Sequence, residues 1–306
     1  TIAIFTFDSP NLSGSITHFC MKPHTIGFIA VALAAVCWST GGLFIKLLPY
    51  TPFTILGYRS FFAALMFGLM FRERVLRFNK KIGLVVLFYI GLLTSYVVAV
   101  KLTTAANAIF LQYTAPAYVL LLEPLLFRLK LKGVDILTII VCMSGMLLFF
   151  GEDMSPGSWT GNLLALFSGL MLAGLMLAQR FNGPEYHEAA IFWGNIAVFV
   201  ISLPMLAQTG WPGPSHWAML VFLGFIQLGG GYALFNFGIK RILAIEASLL
   251  AMIEPILNPV WVWLGYGEVP ARGAIAGGLL IIAMLMLRII IQERHKYRLR
   301  KLSGQV

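Results

Sequence analysis

The chain has 306 residues, of which 59% are hydrophobic and 11% charged, with a mean hydropathy of +0.87. Soluble domains are about 25% charged, so this composition excludes a soluble globular protein and indicates a polytopic membrane protein. The formal net charge is +10, but the basic residues form short clusters between apolar segments, as cytoplasmic loops do. We therefore expect the partners to be the lipid bilayer and a small-molecule substrate, and no nucleic acid.

Cysteine and histidine usage gives no sign of a cofactor or a metal site. Cys20, Cys37 and Cys142 are widely spaced, and two of them fall inside apolar segments, which indicates neither a disulfide framework nor a metal centre. The five histidines are equally scattered. We expect no cofactor and no bound metal.

Residues 1–24 differ from the rest of the chain. An apolar patch is followed by Asp8, Pro10 and Ser/Gly-rich sequence, without the basic start of a secretory signal. Met21 looks like a natural start of translation. We expect this N-terminal extension to be disordered, and residues 1–20 to be an extension or a product of where the reading frame was opened.

From Thr25 onward, the chain divides into apolar segments of about 17–24 residues, the length that crosses about 30 Å of hydrocarbon. Prolines, glycines and basic clusters separate the segments. The sequence thus predicts an all-α integral membrane protein with ten transmembrane helices: α1 (25–48), α2 (53–71), α3 (82–101), α4 (104–127), α5 (134–150), α6 (160–181), α7 (187–206), α8 (216–238), α9 (244–266) and α10 (271–291).

Lysine and arginine are unevenly distributed between the two sides of the predicted bundle. Of the 22 basic residues, 18 fall on one set of alternating loops and termini. Because cytoplasmic loops carry such an excess, both termini are predicted to be cytoplasmic. We expect the protein in the bacterial inner (plasma) membrane.

The two halves of the predicted bundle share weak internal similarity. An offset of 139 positions places Pro116 on Pro255, and an offset of 134 places Lys46 on Arg180. An odd number of helices in each half would insert the second half upside down relative to the first. Such inverted repeats place a substrate site near the midplane, where interrupted helices leave backbone groups available.

The repeat defines the predicted organisation of the chain. Residues 25–150 form a first five-helix repeat, residues 160–291 form a second, inverted repeat, and residues 292–306 form a basic cytoplasmic tail. We expect a central cavity between the two repeats.

Three short motifs resemble a known family. LQYTAP at 111–116, Arg59 within GYRSFFAAL, and IEP at 253–255 followed by GE at 267–268 together resemble the EamA-type carriers of the drug/metabolite transporter superfamily. The resemblance covers about residues 25–291, although the first half lacks the Gly-Glu pair. It implies a ten-helix carrier without a bound cofactor that exports or exchanges amino acids, related metabolites or drugs by alternating access.

The resemblance is compatible with several substrate classes and several functions. The superfamily includes nucleotide-sugar, triose-phosphate and lipid-linked-sugar carriers, but a phosphate would require several inward-facing basic residues. The aromatic residues at mid-depth favour an aromatic or other apolar amino acid, or an aromatic drug cation. The sequence shows no nucleophile with its base and no clustered metal ligands, so we predict that the protein is not an enzyme. A membrane enzyme or a non-transporting receptor is a remote alternative, and a homodimer stays open.

Two charged residues inside predicted helices are candidates for charge coupling. Glu254 lies about ten residues into α9, where an ionised carboxylate costs about 2.5–3.5 kcal/mol. It would couple protons or bind a substrate amine, or else bond the broken backbone beside Pro255. Arg59 in α2 suits a substrate carboxylate or the carbonyls of a helix end.

Other charged residues near helix ends are interpreted as structural. Lys46 and Lys101 are predicted to extend toward the membrane interface. Glu123 is predicted to pair with Arg128 or Lys130 at the cytoplasmic end of α4.

Polar and aromatic residues at mid-depth are predicted to line the cavity, although each could instead bond one helix to another. The predicted cavity residues are Trp38, Tyr96, Gln112, Tyr113, Trp193, Asn195, Gln227, Tyr232, Asn236, Glu254 and Asn258. Prolines and glycines that interrupt helices permit bending. The predicted hinges are Pro116, Gly229, Gly230, Gly231 and Pro255.

Overall fold

The computed structural model describes residues 23–127, 131–150 and 156–302. Within these ranges the regular secondary structure is helical, without strands, which confirms the predicted all-α class. The prediction of a disordered N-terminal extension lies outside the described residues, except that the first helix already begins at Pro23.

All ten predicted helices occur in the described ranges, with ends shifted by a few residues. Nine of these described helices are long and apolar enough to cross a membrane, and α5 is shorter. The last helix extends to Leu302 and includes much of the predicted tail. The helical segments are Pro23–Ser39 and Gly41–Leu47 (α1), Pro52–Phe71 (α2), Ile82–Leu102 (α3), Ala105–Gln112 and Ala115–Phe127 (α4), Gly133–Leu147 (α5), Pro156–Asn182 (α6), His187–Gln208 (α7), Pro214–Val221, Phe222–Gly230 and Gly231–Gly238 (α8), Ala244–Ala251 and Ile253–Tyr266 (α9), and Arg272–Leu302 (α10).

Local sequence explains several helix ends. The Thr51 hydroxyl accepts a backbone N–H of the first turn of α2, and Pro52 occupies a position where its missing N–H is harmless. Thr104 caps α4 in the same way. Gly267 ends α9 with φ of +78°, a left-handed conformation that favours glycine.

Two helices are interrupted at corresponding positions of the two halves. The regular α-helix is interrupted at Tyr113 in α4 and at Met252 in α9, where the N–H of Met252 bonds three residues back to Leu249. The offset of 139 that aligns the prolines also aligns these two breaks. Pro116 and Pro255 lie in the first turn after each break, where a proline costs no helical hydrogen bond. The two prolines therefore restart helices and do not kink continuous ones.

The middle of α8 departs from α-helical geometry. Its segment Phe222–Gly230 is a π-helix between two α-helical segments. Such wide turns are rare and occur frequently at functional sites. The predicted glycine hinge lies at the end of this segment.

Helix packing obeys an exchange rule: the main contacts are reproduced when α1–α5 are replaced in order by α6–α10 and the reverse. Helix α1 packs on α8 and α9, and α6 packs on α3 and α4. Helices α2 and α7 pack on each other, as do α5 and α10. Exchanging the first five helices with the last five reproduces this pattern, which supports two equivalent halves. The inverted orientation of the second half stays a prediction.

A largely buried ion pair joins the end of α1 to a residue just after α9. Lys46 Nζ lies 2.7 Å from Glu268 Oε2, with side chains only 11% and 16% exposed. Lys46 also donates to the carbonyl of Thr103 at 2.8 Å, and Glu268 Oε1 accepts the N–H of Ala105 at 2.6 Å. Lys46 is therefore bound between both halves, whereas the sequence predicted that it extends toward the membrane interface. Lys101 donates to the carbonyl of Leu48.

The related ion pair joins α4 to α6. Arg180 Nη1 lies 2.9 Å from Glu123 Oε1, and their side chains are 53% and 25% exposed. The prediction named Arg128 or Lys130 as partners of Glu123, and these two residues lie outside the described ranges. Because Arg180 corresponds to Lys46, the exchange rule relates the two ion pairs as well as the helices.

Candidate functional site

The interruptions of α4 and α9 meet at one hydrogen bond between the halves. Tyr113, in the break of α4, donates its hydroxyl proton to Glu254 Oε2 at 2.8 Å. The same hydroxyl lies 3.1 Å from the carbonyl oxygen of Ala251. Glu254 lies two positions after the break of α9 at Met252. The two interruptions thus bring a carboxylate of the second half against a phenol of the first.

Arg59 is held among the helices by its neighbour on α8. The residue is only 4% exposed, and its Nη2 donates to Gln227 Oε1 at 2.9 Å. Gln227 Nε2 in turn donates to the carbonyl of Trp38 at 3.1 Å, which fixes which side of the amide faces Arg59. Among the described residues, the Nε and Nη1 atoms of Arg59 have no hydrogen-bond partner. Arg59 is thus anchored at one nitrogen only.

Arg59 and Glu254 belong to one group of electrostatically interacting side chains. The two groups are close enough to interact electrostatically, but Arg59 bonds to Gln227 and Glu254 to Tyr113, so they form no direct ion pair. Tyr96 and Tyr232 also interact electrostatically with both groups, although they come from different halves. Glu254 and Tyr232 are each partly exposed, whereas Arg59 is buried.

Aromatic rings of α1, α2 and α8 pack into an aromatic wall that includes Tyr232, a neighbour of Glu254 and Arg59. The ring centroids of Trp38 and Tyr232 lie 5.3 Å apart in an edge-on arrangement, and those of Trp38 and Phe235 also lie 5.3 Å apart. Phe67 continues the wall at 6.2 Å from Tyr232. Edge-on pairs of this kind are favourable contacts between aromatic rings. The wall can accept a flat or apolar side chain.

The amide of Asn195 joins α7 to α3. Its Nδ2 donates to the hydroxyl of Tyr89 at 2.8 Å and to the carbonyl of Ile191 at 2.9 Å. Tyr89 is fully buried and interacts electrostatically with Arg59. Sequence reasoning missed Tyr89, although it precedes Tyr96 by two helical turns and lies on the same face of α3. That spacing was the available signal.

Asn258, another predicted cavity residue, lies where α1 meets α9. Asn258 is fully buried and neighbours the hydroxyl of Tyr96. A Cβ atom at Gly42 would lie 2.5 Å from Asn258 Oδ1. Glycine at this position therefore lets α1 approach the amide closely.

The remaining predicted cavity residues occupy different places. Gln112 is half-buried beside the break of α4, and its Oε1 atom has no partner among the described residues. Asn236 is half-buried one helical turn after Tyr232. Trp193 is 37% exposed and lies in an apolar groove with Ile82. The structure thus brings Tyr96, Tyr113, Gln227 and Tyr232 near Arg59 or Glu254, and places Trp193 elsewhere.

The three predicted hinge glycines differ in the space around them. A Cβ atom at Gly229 would collide with the sulfur of Met66, and one at Gly231 would collide with the indole of Trp38. At Gly230 the nearest atom is a backbone oxygen at 3.4 Å. Gly231 therefore allows close packing against a rigid indole, Gly229 faces a flexible methionine side chain, and Gly230 has room for a side chain.

Comparison with known proteins identifies a family match in both halves. The model of the EamA-like transporter family matches residues 25–151 and 159–290. An uncharacterized transporter of Archaeoglobus fulgidus is 24% identical over 270 residues, which cover 88% of this chain and 97% of that protein. The two matched ranges correspond closely to the two halves that the exchange rule relates.

Two further relatives carry more specific names. The threonine/homoserine exporter RhtA of Escherichia coli is 24% identical and covers 74% of this chain and 79% of its own length. The pseudopaline exporter CntI of Pseudomonas aeruginosa is 24% identical, with coverage of 74% and 82%. A solved crystal structure with 20% identity superposes with a TM-score of 0.61 and covers 89% of this chain and 98% of its own. That similarity supports the fold.

Proposed function

Because the chain belongs to the EamA-like transporter family, we propose that it exports or exchanges aromatic or other apolar amino acids, or related amine-bearing drugs. The names of the two exporter relatives support outward transport of small metabolites. The excess of basic residues on one side supports an orientation with both termini in the cytoplasm of a bacterial cell.

The observation that carries this proposal is the placement of Glu254. A carboxylate inside a membrane helix is costly, and here it lies where both interrupted helices meet, bonded to Tyr113 of the other half. The aromatic wall of Trp38 and Tyr232 lies beside it. A carboxylate next to aromatic rings suits a substrate with an ammonium group and an apolar side chain. Proton coupling through Glu254 is compatible with the same placement.

Alternating access would use the two related ion pairs at opposite ends of the halves. In the described conformation the Lys46–Glu268 pair is largely buried, and the Glu123–Arg180 pair is half exposed. Transporters with two repeats expose a fixed site to each side by moving one repeat against the other. We expect the two pairs to separate in turn during this cycle, with the interruptions at Pro116 and Pro255 as hinges.

Purified protein in lipid vesicles provides the test. Vesicles loaded with unlabelled amino acids should accumulate labelled aromatic or branched-chain amino acids faster than protein-free vesicles do. A parallel panel of sugar phosphates and nucleotide sugars covers the other carriers of the superfamily. Accumulation of a sugar phosphate without any amino acid or amine would contradict the proposed substrate class.

A further inference from the structure

We infer that Arg59 binds the carboxylate of the transported molecule, so that the substrate is a zwitterion and not a simple amine. The inference deepens the proposed function. It rests on that function in one respect, which is that Arg59 lies on the transport path. It distinguishes the two substrate classes that Glu254 alone leaves open, because amino acids and aromatic amines share the ammonium group.

The first argument is the incomplete bonding of a buried charge. Arg59 is 4% exposed and lies within a helix long and apolar enough to cross a membrane. A guanidinium carries five N–H donors, yet Nε and Nη1 have no partner among the described residues. Leaving a buried charged donor unpaired is strongly unfavourable. The two nitrogens are therefore able to bond an acceptor that comes from outside the chain.

The second argument is that the nearby carboxylate does not supply this acceptor. Glu254 is bonded to Tyr113 across the break of α4, and its attraction to Arg59 acts without direct contact. Gln227 holds one end of the guanidinium and is itself anchored to the carbonyl of Trp38. The free nitrogens are thus presented by a fixed, planar group.

The third argument concerns which anion fits. A planar guanidinium matches the geometry of a carboxylate, whereas a phosphate is usually bound by several basic groups. Among the described residues, Arg59 is the only buried arginine or lysine. A molecule with a carboxylate at Arg59 and an ammonium group at Glu254 would place its side chain toward Trp38 and Tyr232. An α-amino acid has these three features.

The decisive experiment uses the wild-type protein and matched ligands. Thermal unfolding of the purified protein is measured with each of the common amino acids and with the corresponding amino-acid amide, which keeps the ammonium group and side chain but replaces the carboxylate. A ligand that binds the folded state raises Tm according to its occupancy. We expect at least one aromatic or branched-chain amino acid to stabilise the protein, and its amide to need a roughly 10- to 100-fold higher concentration.

Two variants locate the effect at Arg59. In Arg59→Gln the amino acid and its amide should stabilise equally, because the group that distinguishes them has been removed. Arg77→Gln, at an exposed arginine outside the site, should keep the wild-type preference. If Arg59→Gln does not fold, the wild-type ligand series decides alone. Equal stabilisation of wild-type protein by acid and amide, or none by any amino acid, would overturn the inference.

Failure of this inference and failure of the proposed function give different results. Vesicle transport of an amine with no preference for a carboxylate would refute the role of Arg59 and leave an exporter. Carboxylate-dependent stabilisation without movement of any solute through the membrane would support Arg59 as a binding residue and refute transport.

Discussion

Alanine substitutions at two adjacent glycines of α8 should have opposite effects on stability. Gly230 and Gly231 both have right-handed helical backbone angles, with φ of −63° and −55°, so the backbone accepts alanine at either position. The difference lies in the surrounding space. A Cβ atom at Gly231 would lie 2.6 Å from Trp38 Cδ1 and 3.0 Å from Trp38 Cε2, whereas at Gly230 the nearest atom is at 3.4 Å.

The expected magnitudes follow from these distances. Ordinary contact begins near 3.4 Å and the nearest indole atom is Nε1, so Gly231→Ala requires the indole to move by more than about 0.8 Å against Tyr232 and Phe235, which pack on it. Overpacking of this kind costs about 1–3 kcal/mol. Gly230→Ala should instead stabilise the protein by about 0.4–1 kcal/mol, because alanine restricts the unfolded chain.

Thermal unfolding of the purified variants, followed by tryptophan fluorescence, measures both effects. We expect Tm to fall for Gly231→Ala and to rise slightly for Gly230→Ala. Equal shifts would refute the close approach of Trp38 to α8. A stable Gly230→Ala protein with slowed transport would also support a hinge at this position, since packing is unchanged there.

Two further substitutions test individual contacts between the halves. Glu268→Gln removes one partner of a largely buried ion pair and should lower the unfolding free energy by on the order of 3 kcal/mol. Glu123→Gln, in the half-exposed pair, should lower it by only about 0–1 kcal/mol. Similar Tm values for the two variants would contradict this ranking. Tyr113→Phe removes the donor to Glu254 and should cost about 1.5–3 kcal/mol. The cost should shrink in the Glu254→Gln background, so additive losses in Tm would argue against the bond.

The helices and their interruptions could be predicted because they depend on local sequence. Apolar segments of membrane length determine the ten helices. Pro116 and Pro255 lie just after the interruptions, whereas Pro124 and Pro259 lie inside the restarted helices, so the repeat and not proline alone marks the two breaks. The internal offset of 139 positions then aligns the two breaks, which the structure places at Tyr113 and Met252. The repeat also indicated that Glu254 would lie near the first half.

Partners across the bundle could not be predicted, because hydropathy carries no information on which helices meet. Lys46 and Glu268 are far apart in sequence, and only the packing of α1 on α9 brings them together. The residue types near the middle of a helix also do not determine which side chains point into the bundle. Trp193 and Asn195 are two positions apart and therefore about 200° apart around α7, so only Asn195 reaches the interior.

Exchange of labelled amino acid across vesicles that contain the purified protein tests the central claim most directly. The claim is that Glu254, the carboxylate where the two interrupted helices meet, binds either the substrate or a proton whose movement is coupled to transport. We expect rapid, pH-dependent exchange by wild-type protein, and a loss of at least about tenfold in Glu254→Gln, equivalent to about 1.4 kcal/mol of barrier. Exchange by Glu254→Gln at the wild-type rate, with the same pH dependence, would contradict the claim.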